Sequence, residues 1–198
     1  MVLSKTRPTQ GATIGVRKAP APDGRAGFIR IDSVHQGDQD GAKGLYHINA
    51  VDCGTQWEVV ATVQTISEAH LLPVIEQMLE QFPFEIFGFH ADNGSEYVNH
   101  AVARMLDKLR IEFTRSRPRR SNDNGLAERR IERVYRPEDA MTPLDKLASL
   151  PEANRQLREG ITLEDLHKLA RALTDVQAAE ELNEARAALL RRVPARTG

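Results

Sequence analysis

The segment 85–128, EIFGFHADNGSEYVNHAVARMLDKLRIEFTRSRPRRSNDNGLAE, decides the fold of this chain. It begins with an apolar run that leads to Asp92, continues through a helical pattern and a second apolar run, and ends on Glu128. Asp32 lies near the end of an earlier apolar run, GFIRID. Three carboxylates from three separate elements are what a pair of divalent cations needs. Two such cations can activate an attacking oxygen and stabilise a leaving one at a phosphodiester.

Three phrases carry a resemblance to a known family: IDSVHQGD with YHINAVDCGTQWEVV, FHADNGSEY, and TRSRPRRSNDNGLAE. They resemble the catalytic core of the DDE transposases and retroviral-type integrases, in particular the bacterial insertion-sequence branch. The resemblance covers residues 27–133 as a core and continues more distantly over the tail. It implies an α/β fold with a ribonuclease-H-like mixed sheet, in which three antiparallel strands are followed by parallel strands with helices.

The same resemblance implies DNA integration and transposition by metal-dependent phosphodiester cleavage and strand transfer. Asp32, Asp92 and Glu128 would be the catalytic residues and the ligands of Mg²⁺ or Mn²⁺. The implied partners are DNA, at transposon ends and at the target, and further copies of the chain in a homo-oligomer when active. No small-molecule substrate is implied.

The chain departs from the family after Glu128, where RRIER passes directly to VYRPEDAMTPLDKL. A block that completes the core is missing between residues 133 and 134, and Arg129 and Arg130 replace only the charge of the family's Lys-Asn pair. We therefore expect a core that is incomplete after its last catalytic helix. Enzymatic activity stays open, and the alternative is a non-catalytic remnant that binds DNA or a full-length partner. A structure-specific ribonuclease-H-like nuclease is a further alternative.

The missing block has a consequence for packing. Without it, apolar side chains of the sheet should be exposed unless the tail helices cover part of the face. The side chains concerned are Phe28, Ile31, Phe87 and Phe89.

Length and composition indicate one buried core with an appendage: 198 residues, 40% hydrophobic and 28% charged. No apolar run approaches the ~18 residues of a membrane helix, and the N-terminus lacks the apolar core of a signal peptide. The single cysteine, Cys53, excludes an internal disulfide and a thiolate zinc cluster. We expect a cytoplasmic protein without membrane contacts.

Positive charge is concentrated in one segment although the whole chain has a net charge of −1. Residues 110–136 contain nine arginines and four acids. Such a segment attracts a phosphate backbone with an affinity that falls as salt rises, whereas a solvated charged loop is the structural alternative. The predicted DNA-binding residues are Arg115, Arg117, Arg119, Arg120, Arg129 and Arg130.

The predicted organisation is an N-terminal arm or linker over 1–26, the truncated core over 27–133, and a helical tail over 134–198. Apolar alternation predicts strands over 28–34, 45–51, 57–63, 84–89 and 111–114. Helical spacing predicts one helix capped by Ser67 and another over 101–109. The apolar face of the first helix is predicted to comprise Ala69, Leu72, Ile75, Met78 and Leu79. Tail helices are predicted from caps at Thr142, Thr162 and Thr174.

The choice of first acid rests on topology, because Asp52 also ends an apolar run. In the implied fold the first acid lies on the first of three antiparallel strands, and only Asp32 is followed by two more strands before a helix. Asp52 is then a turn residue. The lone His90, two residues before Asp92, is interpreted as packed or solvated, and the His35–Asp38–Asp40 loop as a polar turn. A hairpin at Asn93-Gly94 and a capping role for Glu128 are the structural alternatives for the other two acids.

Overall fold

Six strands form one mixed sheet in the order β1-β6-β5-β2-β3-β4. The structure is a computed structural model that describes residues 14–35, 37, 44–92, 96–117 and 141–172. The strands are β1 (Val16–Arg17), β2 (Phe28–His35), β3 (Tyr46–Asp52), β4 (Glu58–Val63), β5 (Gly88–Ala91) and β6 (Glu112–Arg115). The helices are α1 (Glu68–Glu80), α2 (His100–Lys108), α3 (Pro143–Ser149), α4 (Glu152–Arg155) and α5 (Leu163–Ala172).

Strand pairing follows the predicted scheme. β2, β3 and β4 form an antiparallel meander, and β5 and β6 join β2 in parallel. The predicted strands over 28–34, 45–51, 57–63 and 111–114 match the observed strands to within one residue at each end. The prediction over 84–89 was partly wrong, because β5 begins only at Gly88. Phe84 is fully buried in the preceding loop, so its apolar character reflects loop packing.

The apolar core lies between the sheet and the first two helices. Alternate residues of a strand share one face, and Ile29 and Ile31 on β2 are register partners of Phe89 and Ala91 on β5. All four are at most 1% exposed. α1 contacts β4, α2 contacts β6, and the two helices contact each other, so both lie on the same face.

The predicted face of α1 was wrong in two of its five positions. The buried residues are Leu71, Ile75, Met78 and Leu79, whereas Ala69 is exposed and Leu72 is half-buried. The predicted and the observed residues both fit helical spacing, but packing against the sheet buries the set that includes Leu71. Ser67 is the N-cap as predicted, although its hydroxyl lies 2.6 Å from Nδ1 of His70 and caps no backbone N–H.

The predicted N-terminal arm contributes a sixth strand. Val16–Arg17 pairs in parallel with Thr114–Arg115 of β6, and Nζ of Lys18 lies 2.7 Å from the carboxylate of Glu112. Two residues are too few for an alternating pattern, so this strand was not predicted.

Two tail helices belong to the same compact unit as the sheet, which spans Met1–Arg158. Phe84 forms a β-bridge with Leu157, and the N–H groups of Ala26 and Glu85 donate to the carbonyl oxygens of Asn154 and Gln156, at 3.0 and 2.9 Å. The Arg158 guanidinium donates to three carbonyl oxygens at and beyond the end of α1. They are those of Leu79 (2.8 Å), Glu80 (3.2 Å) and Phe84 (3.4 Å).

This docking bears on the expected exposure of apolar side chains. Ile31 and Phe89 are buried, and Phe28 and Phe87 are half-buried with their ring centroids 6.3 Å apart. The Arg25 guanidinium covers the Phe87 ring at 4.8 Å and donates to Oε1 of Gln156. The tail therefore helps to cover one of the four residues that were expected to be exposed.

The caps predicted for the tail are confirmed at two of three positions. The Thr142 hydroxyl accepts the N–H of Asp145 at the start of α3, and the Asp145 carboxylate accepts the N–H of Thr142. In the second unit, Glu159–Gly198, Thr162 and Asp165 make the same reciprocal pair at the start of α5. Thr174 lies outside the described residues.

No helix in the described part of the chain is long and apolar enough to cross a membrane.

Candidate active site

The parallel strands β2 and β5 bring two of the three predicted acids to the same end of the sheet. Ile31 on β2 is the register partner of Ala91 on β5, and Ala91 is the partner of Arg115 on β6. Asp32 follows Ile31, and Asp92 follows Ala91, so the two carboxylates occupy equivalent places on adjacent strands. Neighbouring strands lie about 4.8 Å apart, which is a separation that one small cation and its ligands can bridge.

Both carboxylates are half-exposed, and Asp32 accepts the N–H of Ser33 at 2.8 Å. Tyr97, five residues beyond Asp92, is 1% exposed, and its hydroxyl has no hydrogen-bond partner of ordinary geometry in the described part of the chain. Burial raises the pKa of Tyr97, the Ser33 side chain lowers it, and the charges of Glu96, Asp32 and Asp92 raise it further. The phenol is therefore uncharged at neutral pH and lies in the field of the acids.

Asp52, the alternative first acid, lies at the opposite end of the sheet. It is the register partner of Ile29, at the start of β2, and is fully buried. Its Oδ1 accepts the N–H groups of Gly27 and Phe28, at 2.8 and 3.0 Å. Its Oδ2 accepts the N–H of Gly54 (3.1 Å) and both the N–H (2.7 Å) and the hydroxyl (2.8 Å) of Thr55.

Five donors leave the Asp52 carboxylate little capacity for a cation, and the residue joins the start of β2 to the turn between β3 and β4. Burial raises the pKa of Asp52, and the hydrogen bonds from Thr55, Gly27 and Phe28 oppose that rise. Gly27 reaches this carboxylate with a φ of +97°, and a Cβ there would overlap the carbonyl oxygen of Glu85. Asp52 is the last residue of β3, and its carboxylate accepts hydrogen bonds from the turn that follows, which agrees with a structural role.

Glu128, the third predicted ligand, lies outside the described residues, as do Asn93, Gly94, Asp38 and Asp40. Within the described ranges, no group of three or more His, Cys, Asp or Glu side chains could hold a metal ion. The two carboxylates nevertheless suit Mg²⁺ or Mn²⁺, because magnesium binds through one or two carboxylates and keeps several waters. Cys53 offers no thiolate, because burial raises its pKa to about 11.

His90 is buried beside the edge that carries Asp92. Its Nδ1 lies 2.9 Å from the Thr114 hydroxyl, and its Nε2 lies 3.3 Å from the Ser116 hydroxyl. The Thr114 hydroxyl also donates to the carbonyl of Phe89 at 3.4 Å. His90 is therefore packed, as interpreted from the sequence. Its partners on β6 were missed because only the register of β5 with β6 identifies them.

Of the six predicted DNA-binding arginines, the structure describes Arg115 and Arg117. Arg115 ends β6, next to Ala91, and Arg117 is exposed two residues further on. Arg119, Arg120, Arg129 and Arg130 lie outside the described residues. The basic segment therefore begins on the strand next to the one that leads to Asp92.

Comparison with known proteins identifies the family. Residues 25–121 match the model of the integrase core domain. This segment is an integrase core domain. It includes every strand from β2 to β6 and both carboxylates, and the predicted DDE-type integrase or transposase core is thereby confirmed.

One solved structure agrees with this assignment at the level of the fold. A chain of the simian T-cell lymphotropic virus intasome, solved with the PP2A regulatory subunit B56 gamma, is similar with a TM-score of 0.50 and 14% identity. The likeness covers 64% of this chain and 44% of that one. The catalytic core domain of BIV integrase has a TM-score of 0.44 and 17% identity, over 53% of this chain and 64% of the other. The ribonuclease-H-like sheet expected for an integrase core is confirmed.

Among curated proteins, the uncharacterized protein y4rM of Sinorhizobium fredii is 27% identical over 125 residues. The match covers 63% of this chain and 35% of that relative. The chain thus spans about a third of the length of the curated relative that it matches.

Proposed function

We propose that this integrase core acts in DNA integration or transposition by metal-dependent cleavage and strand transfer at phosphodiester bonds. The observation that carries the proposal is that Asp32 and Asp92 directly follow Ile31 and Ala91, the last register pair of the adjacent parallel strands β2 and β5. The pairing of β2 with β5 ends at this point, and ligands commonly bind beyond the carboxyl ends of parallel strands.

Asp32, Asp92 and Glu128 are the residues that would hold Mg²⁺ or Mn²⁺. When bound, the cations supply Lewis-acid activation of an attacking oxygen and stabilise the charge on a leaving oxygen. The fit rests on the donor set, since hard divalent cations prefer carboxylate oxygens and no thiolate is available.

Several contacts of the chain's own residues support this arrangement of Asp32 and Asp92. The β2–β5 register fixes the spacing of the two acids, and the His90 bonds to Thr114 and Ser116 tie β6 to β5 at the same edge. The N–H of Ser33 fixes one oxygen of Asp32. In cleavage, the oxygen of water bonds to phosphorus and the bond from phosphorus to the 3′ oxygen breaks, which leaves a 3′-hydroxyl. In strand transfer the oxygen of that hydroxyl bonds to a phosphorus of the target strand, the bond from that phosphorus to the 3′ oxygen of the target breaks, and the released 3′ oxygen takes up the proton.

The proposed partner is DNA, at element ends and at the target, and the proposed active form is a homo-oligomer. Arg115 and Arg117 mark the start of a basic segment next to the acids, where arginines would contact phosphates without reading bases. Such contacts would position a DNA strand over the acids. This is the role that we propose for the basic segment beside the site.

Nicking of supercoiled plasmid DNA with Mg²⁺ or Mn²⁺ tests the proposal. Asp32→Asn and Asp92→Asn should each abolish nicking and retain DNA binding, because each change removes a ligand charge but keeps the side-chain shape. Asp107→Asn, an exposed change on α2, is the matched control and should retain activity. Nicking that survives in both site variants would refute the assignment. Wild-type protein that binds DNA but never nicks it would support the non-catalytic alternative.

A further inference from the structure

The short edge strand β1 places two arginines side by side. Arg17 is the register partner of Arg115, and Arg115 is the partner of Ala91, one residue before Asp92. Register partners share a face of the sheet, on strands about 4.8 Å apart. Arg17 was not among the predicted DNA-binding residues, because it comes from the N-terminal arm.

This juxtaposition is unfavourable in the protein alone. Like charges directly opposite each other on neighbouring strands are destabilising. Burial lowers the pKa of Arg115, and the charge of Arg17 lowers it further. The Nε of Arg115 is buried and has no hydrogen-bond partner in the described part of the chain.

No described carboxylate neutralises the pair, since neither Arg17 nor Arg115 forms an ion pair within the described ranges. The adjacent Lys18 provides the contrast. Its ammonium lies 2.7 Å from the Glu112 carboxylate. Lys18 therefore has an anionic partner, whereas Arg17 and Arg115 have none within the described ranges.

We propose that Arg17 and Arg115 together bind one phosphate group of the DNA backbone, beside the edge that carries Asp32 and Asp92. The inference rests on the proposed function for the identity of the ligand. Guanidinium groups bind phosphate through parallel charge-assisted hydrogen bonds, and the negative charge of a bound phosphodiester offsets the repulsion between the two arginines. A phosphate held here lies at the end of β6, the strand next to β5.

Salt-dependent DNA binding by the whole chain tests the pair, with Arg17→Gln as the variant and Lys18→Gln as the control of equal charge change. Arg17→Gln should weaken binding to unrelated duplexes by roughly tenfold, the size of one charge-assisted contact. It should also reduce the slope of log K against log salt by about one. Lys18→Gln should leave the slope closer to wild type, because Lys18 is already paired. An unchanged slope in Arg17→Gln, or equal losses in both variants, would overturn the proposal.

A double-variant cycle tests whether the two arginines share one phosphate. Arg17→Gln and Arg115→Gln combined should cost less than the sum of the single losses, because either change already disrupts the shared site. Additive losses would indicate separate phosphates and would overturn the shared site. Free Arg17→Gln protein should be no less stable to heat than wild type, since the repulsion is removed. A clear loss of stability would show that Arg17 has a structural role.

Titration with inorganic phosphate in the absence of DNA distinguishes the source of the anion. We expect no saturable rise in melting temperature beyond that of chloride at equal ionic strength. A saturable rise that Arg17→Gln abolishes would reassign the pair to a free phosphorylated ligand. These binding measurements are independent of nicking, so failure of catalysis and failure of the arginine pair are distinguishable.

Discussion

Replacing Asp52 by asparagine should destabilise the fold strongly, although Asp52 lies far from the candidate site. The carboxylate is fully buried and accepts five hydrogen bonds, two at Oδ1 and three at Oδ2. Asparagine has one acceptor oxygen, and its NH₂ group must face one of the two sets of donors.

The least costly orientation points the amide oxygen at Gly54 and Thr55. The NH₂ group then faces the N–H groups of Gly27 and Phe28, which are 2.8 and 3.0 Å from the present oxygen. The buried N–H of Gly27 and the part-buried N–H of Phe28 lose their acceptor, at about 1–3 kcal/mol each. The expected loss is about 2–6 kcal/mol, which is a large part of the roughly 5–15 kcal/mol by which a domain is stable.

Urea unfolding followed by tryptophan fluorescence measures this loss. Trp57 is the only tryptophan in the chain, and its backbone N–H donates to the Thr55 hydroxyl within the same network. Asp32→Asn is the control and should change the free energy of unfolding by less than about 1 kcal/mol, because asparagine can still accept the N–H of Ser33. An Asp52→Asn variant as stable as wild type would refute the structural role of Asp52.

Three further changes probe other parts of the chain. Arg158→Met should cost about 1–3 kcal/mol in urea unfolding, since it removes a charged donor from three carbonyl oxygens near the end of α1. Tyr97→Phe should change the free energy of unfolding by less than about 0.5 kcal/mol, because its buried hydroxyl makes no hydrogen bond of ordinary geometry; a loss above about 1 kcal/mol would contradict this. Changing the arginines at 115, 117, 119 and 120 to alanine should weaken binding to unrelated duplexes about equally and flatten its salt dependence, and an unchanged salt slope would contradict the phosphate contacts.

Most of the sheet could be predicted because most of its strands have a recognisable local sequence pattern. Apolar and polar residues alternate along the three antiparallel strands, which are separated by turns. The apolar residues of α2 follow a helical spacing that begins after Asn99, whose side chain accepts the N–H groups of Ala101 and Val102. Phe84 was misassigned because apolar character alone does not distinguish a strand from a buried loop. The face of α1 was misassigned because two overlapping stripes both fit a period of 3.6 residues, and only tertiary packing selects one.

Part of the candidate site could also be predicted from local sequence patterns. Asp32 and Asp92 each end an apolar run, so the positions of both acids along the chain could be singled out from the sequence. The pairing of Arg17 with Arg115 and of His90 with Thr114 and Ser116 depends on strand register between distant segments, which no local pattern encodes. The docking of residues 154–158 against Phe84 and Glu85 depends on tertiary contacts in the same way.

Calorimetric titration of Mn²⁺ into the metal-free protein tests most directly the central claim, that Asp32 and Asp92 form a divalent-cation site. Wild-type protein should bind Mn²⁺ with a saturable heat, and both Asp32→Asn and Asp92→Asn should remove that heat, whereas Asp107→Asn should retain it. All four proteins should show the same unfolding transition without metal to within about 1 kcal/mol, so that a lost heat cannot be ascribed to unfolding. Wild-type protein that binds no Mn²⁺, or site variants that bind it as well as wild type, would contradict the claim.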